Sequence, residues 1–451
     1  MKSHARTEAM KEQEVPTSND AASSGCRPDI IMFEGNPSLP SILLSPSSSR
    51  SSIHSLESSD ASCCADNGFE LDGLEHQKAK AHYAENCSLS APDSAELSNF
   101  DTKPLINSFL GWKPMYGDVR EKNLESYISH IRHKYNAWTH DWLNPVSNEL
   151  VEMFLRQIDR GTTPRERLLR LQAYYLTIST DDALKTFHYS QSALKKIMVE
   201  DDDDRCKVHA TRALCMAVTY SGGSQQDKQD VMQYLLNIVQ SNGQSVKSHK
   251  FAPVMSAAII GWSFIASHVD DLPDAAIPAV AAFAQQLDTT DMQILCDAAQ
   301  AIAFIYEFWR DIQTDDVHFQ LPCDLQPVIG HLKDVARSDR WTINIFSAKK
   351  RRRVRDVLVS VVTSLRHGVG PYYSTRLRAR NVPPGAEEDQ VEEIGYRCRC
   401  RIGDYTCLID TWTAFWRVEM MKLVFGCGLP QHFPVNLIVS TCLDDEFWDK
   451  D

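Results

Sequence analysis

The chain has 451 residues, 43% hydrophobic and 24% charged, with a formal net charge of −13. That is enough to bury a sizeable core, and the acidity excludes a protein that coats nucleic acid with its whole surface, leaving room only for a local basic patch. No apolar run approaches the ~20 residues of a membrane-spanning helix, the polar start lacks a secretory signal's apolar centre, and thirteen dispersed cysteines do not form the dense framework of a small secreted domain, so we expect a soluble intracellular protein with reduced thiols.

Residues 1–103 are rich in serine, proline and short acidic pieces without a sustained period of 2 or 3.6. Such a stretch cannot bury enough apolar area to offset backbone ordering, and we expect a disordered acidic tail. Met1 to Leu105 carries 8 basic and 16 acidic side chains, so the remainder has a balance of only −5. Ser41 to Ser62 is open to phosphorylation on a solvated chain, and the more apolar Asp29 to Leu44 is a weak docking motif beside the simpler reading of a passive tail.

From Pro104 the composition changes, and Trp112, Tyr116, Tyr127, Trp138 and Trp142 announce a folded region. Asn144-Pro145 reads as a cap and first turn before Leu150, Val151, Phe154, Leu155 and Ile158 at helical spacing. Thr163-Pro164-Arg165-Glu166 repeats the logic as a capping box, so the two helices form a hairpin. Further pairs open near Asp182, Gln226, Pro273 and Cys323, a drift of roughly 37 to 50 residues that brackets the period of HEAT and armadillo arrays. The expected fold is therefore all-α, an armadillo/HEAT-like solenoid over residues 104–366. Asp201 to Asp204 is expected to cap a helix start; a calcium loop needs alternate-residue ligands and a glycine that are not there. Ala257 to Val269 and Asp297 to Trp309 are apolar nearly all round, as expected at the centre of a stack.

The sharpest clue lies in Ala348 to Arg366. Lys349, Lys350, Arg351, Arg352 and Arg353 run directly into an apolar stripe of Val354, Val357, Leu358, Val361, Val362 and Leu365 at three- and four-residue steps, with Arg355 on the wet side. One face can pack while the cations stay in water. Between Arg340 and Arg380 there are 11 basic residues against Asp356 alone, and this count includes Arg376, Arg378 and Arg380. Those three fall in a stretch, 367–393, whose glycines and prolines suggest an exposed insertion loop. Residues 394–451 then close the same body: Cys398, Cys400 and Ile402 alternate with arginines, Gly403-Asp404 offers a turn, and Tyr405, Cys407 and Ile409 resume the alternation, a β-hairpin with Cys400 opposite Cys407 and Cys398 opposite Ile409. An apolar face packed on the helices accounts for these cysteines. A Cys400–Cys407 disulfide is sterically open, and a zinc site from Cys398, Cys400, Cys407 and His432 lacks the usual Cys-x2-Cys spacing.

Catalytic chemistry is hard to find. The sequence has no Gly-x-Ser-x-Gly elbow, no phosphate loop ending in Gly-Lys-Ser/Thr, no His-Glu-x-x-His and no Cys-x2-Cys pair. His130, His133 and His140 gather near Trp138 and Trp142, where aromatic packing is a simpler account than a metal. We expect no enzyme, no cofactor and no metal. The cationic run serves as a nuclear import signal, as a grip on RNA phosphates, or as no more than a solvated helix start.

Three stretches resemble the interferon-related developmental regulators: Asp291 to Phe308; Ala348 to Val361, a basic run followed by Arg-Asp-Val-Leu; and Ile409 to Asn436, with Ile-Asp-Thr-Trp, Gly426-Cys427-Gly428, His432 and Asn436. The resemblance covers roughly Leu143 to Val439, and its order and spacing are more specific than any one motif. It implies an armadillo-like fold without enzymatic activity. It also implies action through partners: transcriptional co-regulation in the nucleus, with histone deacetylase complexes implicated, and association with ribosomes that holds them translationally inactive. Gly368 to Glu393 falls between the family's motifs, and the chain stops at Asp451 where relatives continue into a small C-terminal domain, which bears on the ribosome role. Protein partners, a nuclear complex or an import receptor, and possible ribosomal RNA contacts are thus expected, with neither a membrane nor a small-molecule substrate.

Overall fold

Helix signals in the sequence become a stack of antiparallel pairs. The computed structural model describes residues 69–71, 117–158, 163–180, 184–248, 252–269, 272–315, 324–337, 348–379, 391–402, 405–443 and 448–449, all within one unit, Asp60–Asp451. The tail expected over residues 1–103 lies outside them except for Phe69–Leu71.

The helices are α1 (Gly117–His133), α2 (Ala137–Leu143), α3 (Ser147–Ile158), α4 (Pro164–Ile178), α5 (Phe187–Glu200), α6 (Asp204–Tyr220), α7 (Gln225–Gln240), α8 (Ala252–Ala266), α9 (Pro273–Gln286), α10 (Met292–Asp315), α11 (Leu325–Arg337), α12 (Ala348–His367), α13 (Trp412–Phe425), α14 (Leu429–His432) and α15 (Leu437–Leu443). From α3 to α12 they pack in consecutive pairs, and the second member of each pair packs on the second member of the next, so α4, α6, α8, α10 and α12 make a continuous row. This is the expected all-α repeat architecture, with pairs opening within a few residues of the positions that the caps and apolar spacing indicated. The row is the core: α8 and α10 are buried almost all round, with Trp262, Phe264, Tyr306 and Trp309 among the largest enclosed side chains.

Local chemistry sets the boundaries. Asn144–Val146 forms a 3-10 turn leading into α3, and the Thr163 hydroxyl accepts the Glu166 N–H at 3.0 Å with Pro164 in the first turn of α4. The expected capping box is only half made, because the Glu166 carboxylate is drawn to Arg120 and to the buried Arg170, while Thr163 donates to Glu121 at 2.6 Å. Ser224 and Asp227 make the complete reciprocal box at α7. Of the four aspartates, Asp203 caps α6, Asp201 takes Arg167 at 2.7 Å and Asp204 takes Lys207 at 3.0 Å. Asp203 and Asp204 thus stand at a helix start as expected, whereas Asp201 ends α5 and ties it to α4.

The strands are β1 (Phe69–Leu71), β2 (Tyr373–Ala379), β3 (Val391–Tyr396), β4 (Cys398–Ile402), β5 (Tyr405–Leu408) and β6 (Trp448–Asp449). β4 and β5 are the expected hairpin, with Cys400 opposite Cys407 and the Ile409 N–H donating to the Cys398 carbonyl at 2.9 Å. Two features were not expected. β1 joins the outer edge of β4 and β6 the outer edge of β5, giving the order β1-β4-β5-β6. The stretch read as an insertion loop also contains β2 and the first half of β3, an antiparallel pair whose irregular register between Ser374 and Leu377 blurs the alternation that betrays a strand.

Candidate binding surface

α12 divides its residues as the stripe predicts. Val354, Val357, Leu358, Val361 and Leu365 are buried against α10 and α11. Lys349, Lys350, Arg352, Arg353 and Arg355 are exposed, as are Val359 and, at the far end, Arg366; Arg351 and Asp356 are half-buried. Arg352 reaches Asp356 one turn on, at 3.9 Å. No acidic residue stands in the first turn. Cations at a helix N-terminus oppose the positive end of the macrodipole, at about 0.3–1 kcal/mol each, and repel their like neighbours. Tertiary packing therefore holds the turn against its own electrostatics, and an anion docked there relieves that repulsion. Burial pushes the Cys296 thiol and the Tyr372 hydroxyl up, and the Arg353 charge works against it, which sets the cationic turn near the first turns of α10.

The chain leaves α12 by a tight path. Gly368 has a φ of 67°, and a Cβ on Gly370 would stand 1.6 Å from the Asp410 carbonyl oxygen, so only glycine fits that crossing. The Ser360 hydroxyl accepts the Tyr372 N–H at 2.7 Å. β2 then carries Arg376 and Arg378, and its register sets Arg378 opposite Glu392 and Leu377 opposite Glu393. In register, an acidic strand thus lies beside the arginine-bearing one, and Arg380 is outside the described residues. The cationic turns of α12 are the part that stands on geometry.

Elsewhere the second-helix row is covered by the chain itself. α13 lies across α8 and α10 and reaches α4, α14 meets α1, and α15 packs on α13. Trp412 and Trp416 are fully buried there. Polar latches fix this segment to helix ends. Glu307 accepts the backbone N–H groups of Trp412 (2.7 Å) and Thr413 (3.1 Å) at the start of α13. Burial, opposed by those bonds, pushes its carboxyl up to about 8. Arg310, one turn along, donates to the Ser364 carbonyl at 2.8 Å and to that of Leu365. Arg417 donates to the Ser267 carbonyl at 2.7 Å, just past α8.

His432 and Asn436 form the last latch. Asn436 donates to the Ser179 carbonyl beyond α4 at 2.8 Å and to His432 Nδ1 at 3.1 Å, while its oxygen accepts the Ile438 N–H at 3.0 Å. The proton of His432 is thereby assigned to Nε2, which donates to the Ile131 carbonyl at 2.8 Å. The ring stacks on Tyr135 with 4.4 Å between centroids, and burial lowers its pKa to about 3. A Cβ on Gly428 would stand 1.6 Å from the Arg132 carbonyl oxygen, so the glycine lets this segment approach α1.

Both ring nitrogens of His432 are occupied by these bonds, so the histidine is not available to a zinc site with Cys398 and Cys400, which lie buried on β4. His130, His133 and His140 are held separately: burial lowers His130 to about 4, His133 lies 3.8 Å from Cys427 and His140 meets Tyr135 at 2.9 Å. Among the described residues no group of three or more histidine, cysteine or acidic side chains is arranged to hold a metal ion. No single described helix is long and apolar enough to cross a membrane. The latch residues Glu307, Arg310 and Arg417 escaped the sequence reading, because each acts on a carbonyl or amide far along the chain; only His432 and Asn436 carried a signal, through their family-like spacing.

Comparison with known proteins agrees with this architecture. The family model described as "Interferon-related developmental regulator" matches residues 115–365, from the first described helix to the apolar end of α12. An uncharacterized protein of Schizosaccharomyces pombe is similar over 330 residues at 22% identity, covering 71% of this chain and 70% of that protein.

Proposed function

The chain belongs to the interferon-related developmental regulator family, and from that premise we propose that it is a non-enzymatic regulator that acts by docking on macromolecular partners through the cationic first turns of α12. One observation carries this reading. In the row that a helical repeat usually offers to a ligand, α4, α8 and α10 are packed against α13, whereas Lys349, Lys350, Arg352, Arg353 and Arg355 stand exposed on a helix whose own dipole gains from a bound anion. Arginine forks and lysine point charges at fixed helical spacing suit the phosphates of a structured RNA. The partner that fits this geometry best is ribosomal RNA, with translational silencing as the consequence.

Transcriptional co-regulation through a nuclear protein complex is the second reading. It draws on the same five consecutive cations, Lys349 to Arg353, as an import signal. Recognition of that signal in extended form must first unwind the helical turn that contains it.

Replacing Lys349, Lys350, Arg351, Arg352 and Arg353 together by glutamate separates the two. If the ribosome reading is right, co-sedimentation with ribosomes falls at low salt while the nuclear fraction stays unchanged, and the wild-type association weakens steeply as salt rises. Loss of nuclear signal with ribosome association intact supports the transcriptional reading instead. Should neither change while circular dichroism shows an intact fold, the surface has no docking role.

A further inference from the structure

The four-stranded sheet is completed from outside its hairpin. β1 has only three residues, and its register sets Phe69 opposite Cys400, Glu70 opposite Arg399 and Leu71 opposite Cys398. Cys398 and Cys400 are buried and Arg399 is exposed. The two apolar positions of β1 thus pair with the two buried positions of β4, and its one acidic position pairs with an exposed arginine. Because side chains alternate along a strand, a slip of one residue would invert all three matches. The pairing is specified by pattern and by charge.

Its hold is nevertheless slight. A three-residue strand makes few backbone hydrogen bonds, so a longer strand on the same edge gains several more. In sequence Arg399 and Arg401 stand at alternate positions of β4, so a longer strand with alternating acids would meet a cation at each. We infer that the outer edge of β4 is a docking site for extended apolar–acidic–apolar segments, occupied in cis by Phe69–Leu71, and that a longer segment of this pattern from another protein replaces β1 by strand addition. This site is separate from the cationic turns of α12.

The test uses the full chain and hydrogen–deuterium exchange of the peptide covering residues 397–402. Glu70→Arg and Arg399→Glu each speed exchange there by roughly fivefold, the scale of one reversed cross-strand charge pair, and the double variant restores the wild-type rate. Single variants without effect, or a double variant as fast as the singles, overturn the charge-coded register. In the Leu71→Pro chain, a synthetic peptide of sequence DNGFELDGLE added in trans restores protection, and the same peptide with arginine at the position of Glu70 does not. A peptide that restores nothing overturns the docking site. Protection of the wild-type chain that rises with its own concentration, together with a dimer in sedimentation, assigns the edge to a second copy and overturns a heterologous partner.

Discussion

The covered second-helix row and the exposed start of α12 use the same side-chain chemistry to opposite ends. On the row, Arg310, Arg417 and Asn436 all finish on carbonyls at helix ends, and Glu307 on amides. Each satisfies a backbone group that burial would otherwise leave without water. At α12 the arginines and lysines stand in solvent at the helix end where their charge is least welcome. Polar groups on the row are thus buried and shared with the backbone, while those of the proposed docking surface are exposed at an unfavourable helix end. Perturbing the first region should therefore cost stability, and perturbing the second should cost binding alone.

The largest effect is expected at Trp416, fully buried where α13 meets the stack. Trp416→Ala should lower the unfolding free energy by about 3–5 kcal/mol, measured by urea denaturation. A loss below about 1 kcal/mol would mean that α13–α15 covers the row only loosely, and the contrast between the two regions would fail.

Asn436 tests the latch without opening a large cavity. Asn436→Ala strands the buried Ser179 carbonyl and the Ile438 amide, and about 2–3 kcal/mol should be lost in the same measurement. His432 adds a signed pH dependence. Its folded pKa of about 3 lies below the ordinary 6.5, so its contribution is fully present above pH 6.5 and is lost as pH falls through that value toward 3. Between pH 7 and 5 it should remove about 2 kcal/mol. Asp297 and Glu307, raised by burial to about 7 and about 8, pull the other way, since each favours the fold most at low pH and loses that as pH rises. The readout is therefore a difference: His432→Gln should be less destabilised by acidification than the wild type, and parallel pH curves would refute the assignment of a neutral buried imidazole.

How much of this was legible beforehand follows the reach of each interaction. The repeat pairs were visible because caps such as Thr163-Pro164 and stripes such as Val354 to Leu365 encode themselves within a few residues. The β4–β5 register was legible for the same reason, a strict alternation around Gly403-Asp404. β2–β3 was hidden by its irregular register, and β1 by its brevity in a polar stretch. The latches were hidden because Glu307 and Trp412, or Asn436 and Ser179, are neighbours only after the stack has formed; no local pattern announces a carboxylate that will cap a helix a hundred residues later. For the candidate surface, the sequence located the cations of α12, but only the fold revealed that the alternative docking face is covered and that Glu392 stands opposite Arg378.

The smallest effect on stability is the most informative. Lys349 and Lys350 sit in the first turn of α12, exposed, with no acidic residue in that turn. Replacing both by glutamate reverses an unfavourable charge–dipole interaction and eases repulsion from Arg352 and Arg353, while it also removes the interactions that the two lysines make, so the urea midpoint should move by no more than the equivalent of a few tenths of a kcal/mol. If the turn serves a polyanion, the same variant should bind RNA more weakly, and the slope of log affinity against log salt should become shallower by about one to two, the number of phosphate contacts removed. Binding then falls while stability holds, as it does when a charge serves a partner rather than the fold. A structural role for these lysines would instead lower both together, and a solvated helix start would leave the salt slope untouched.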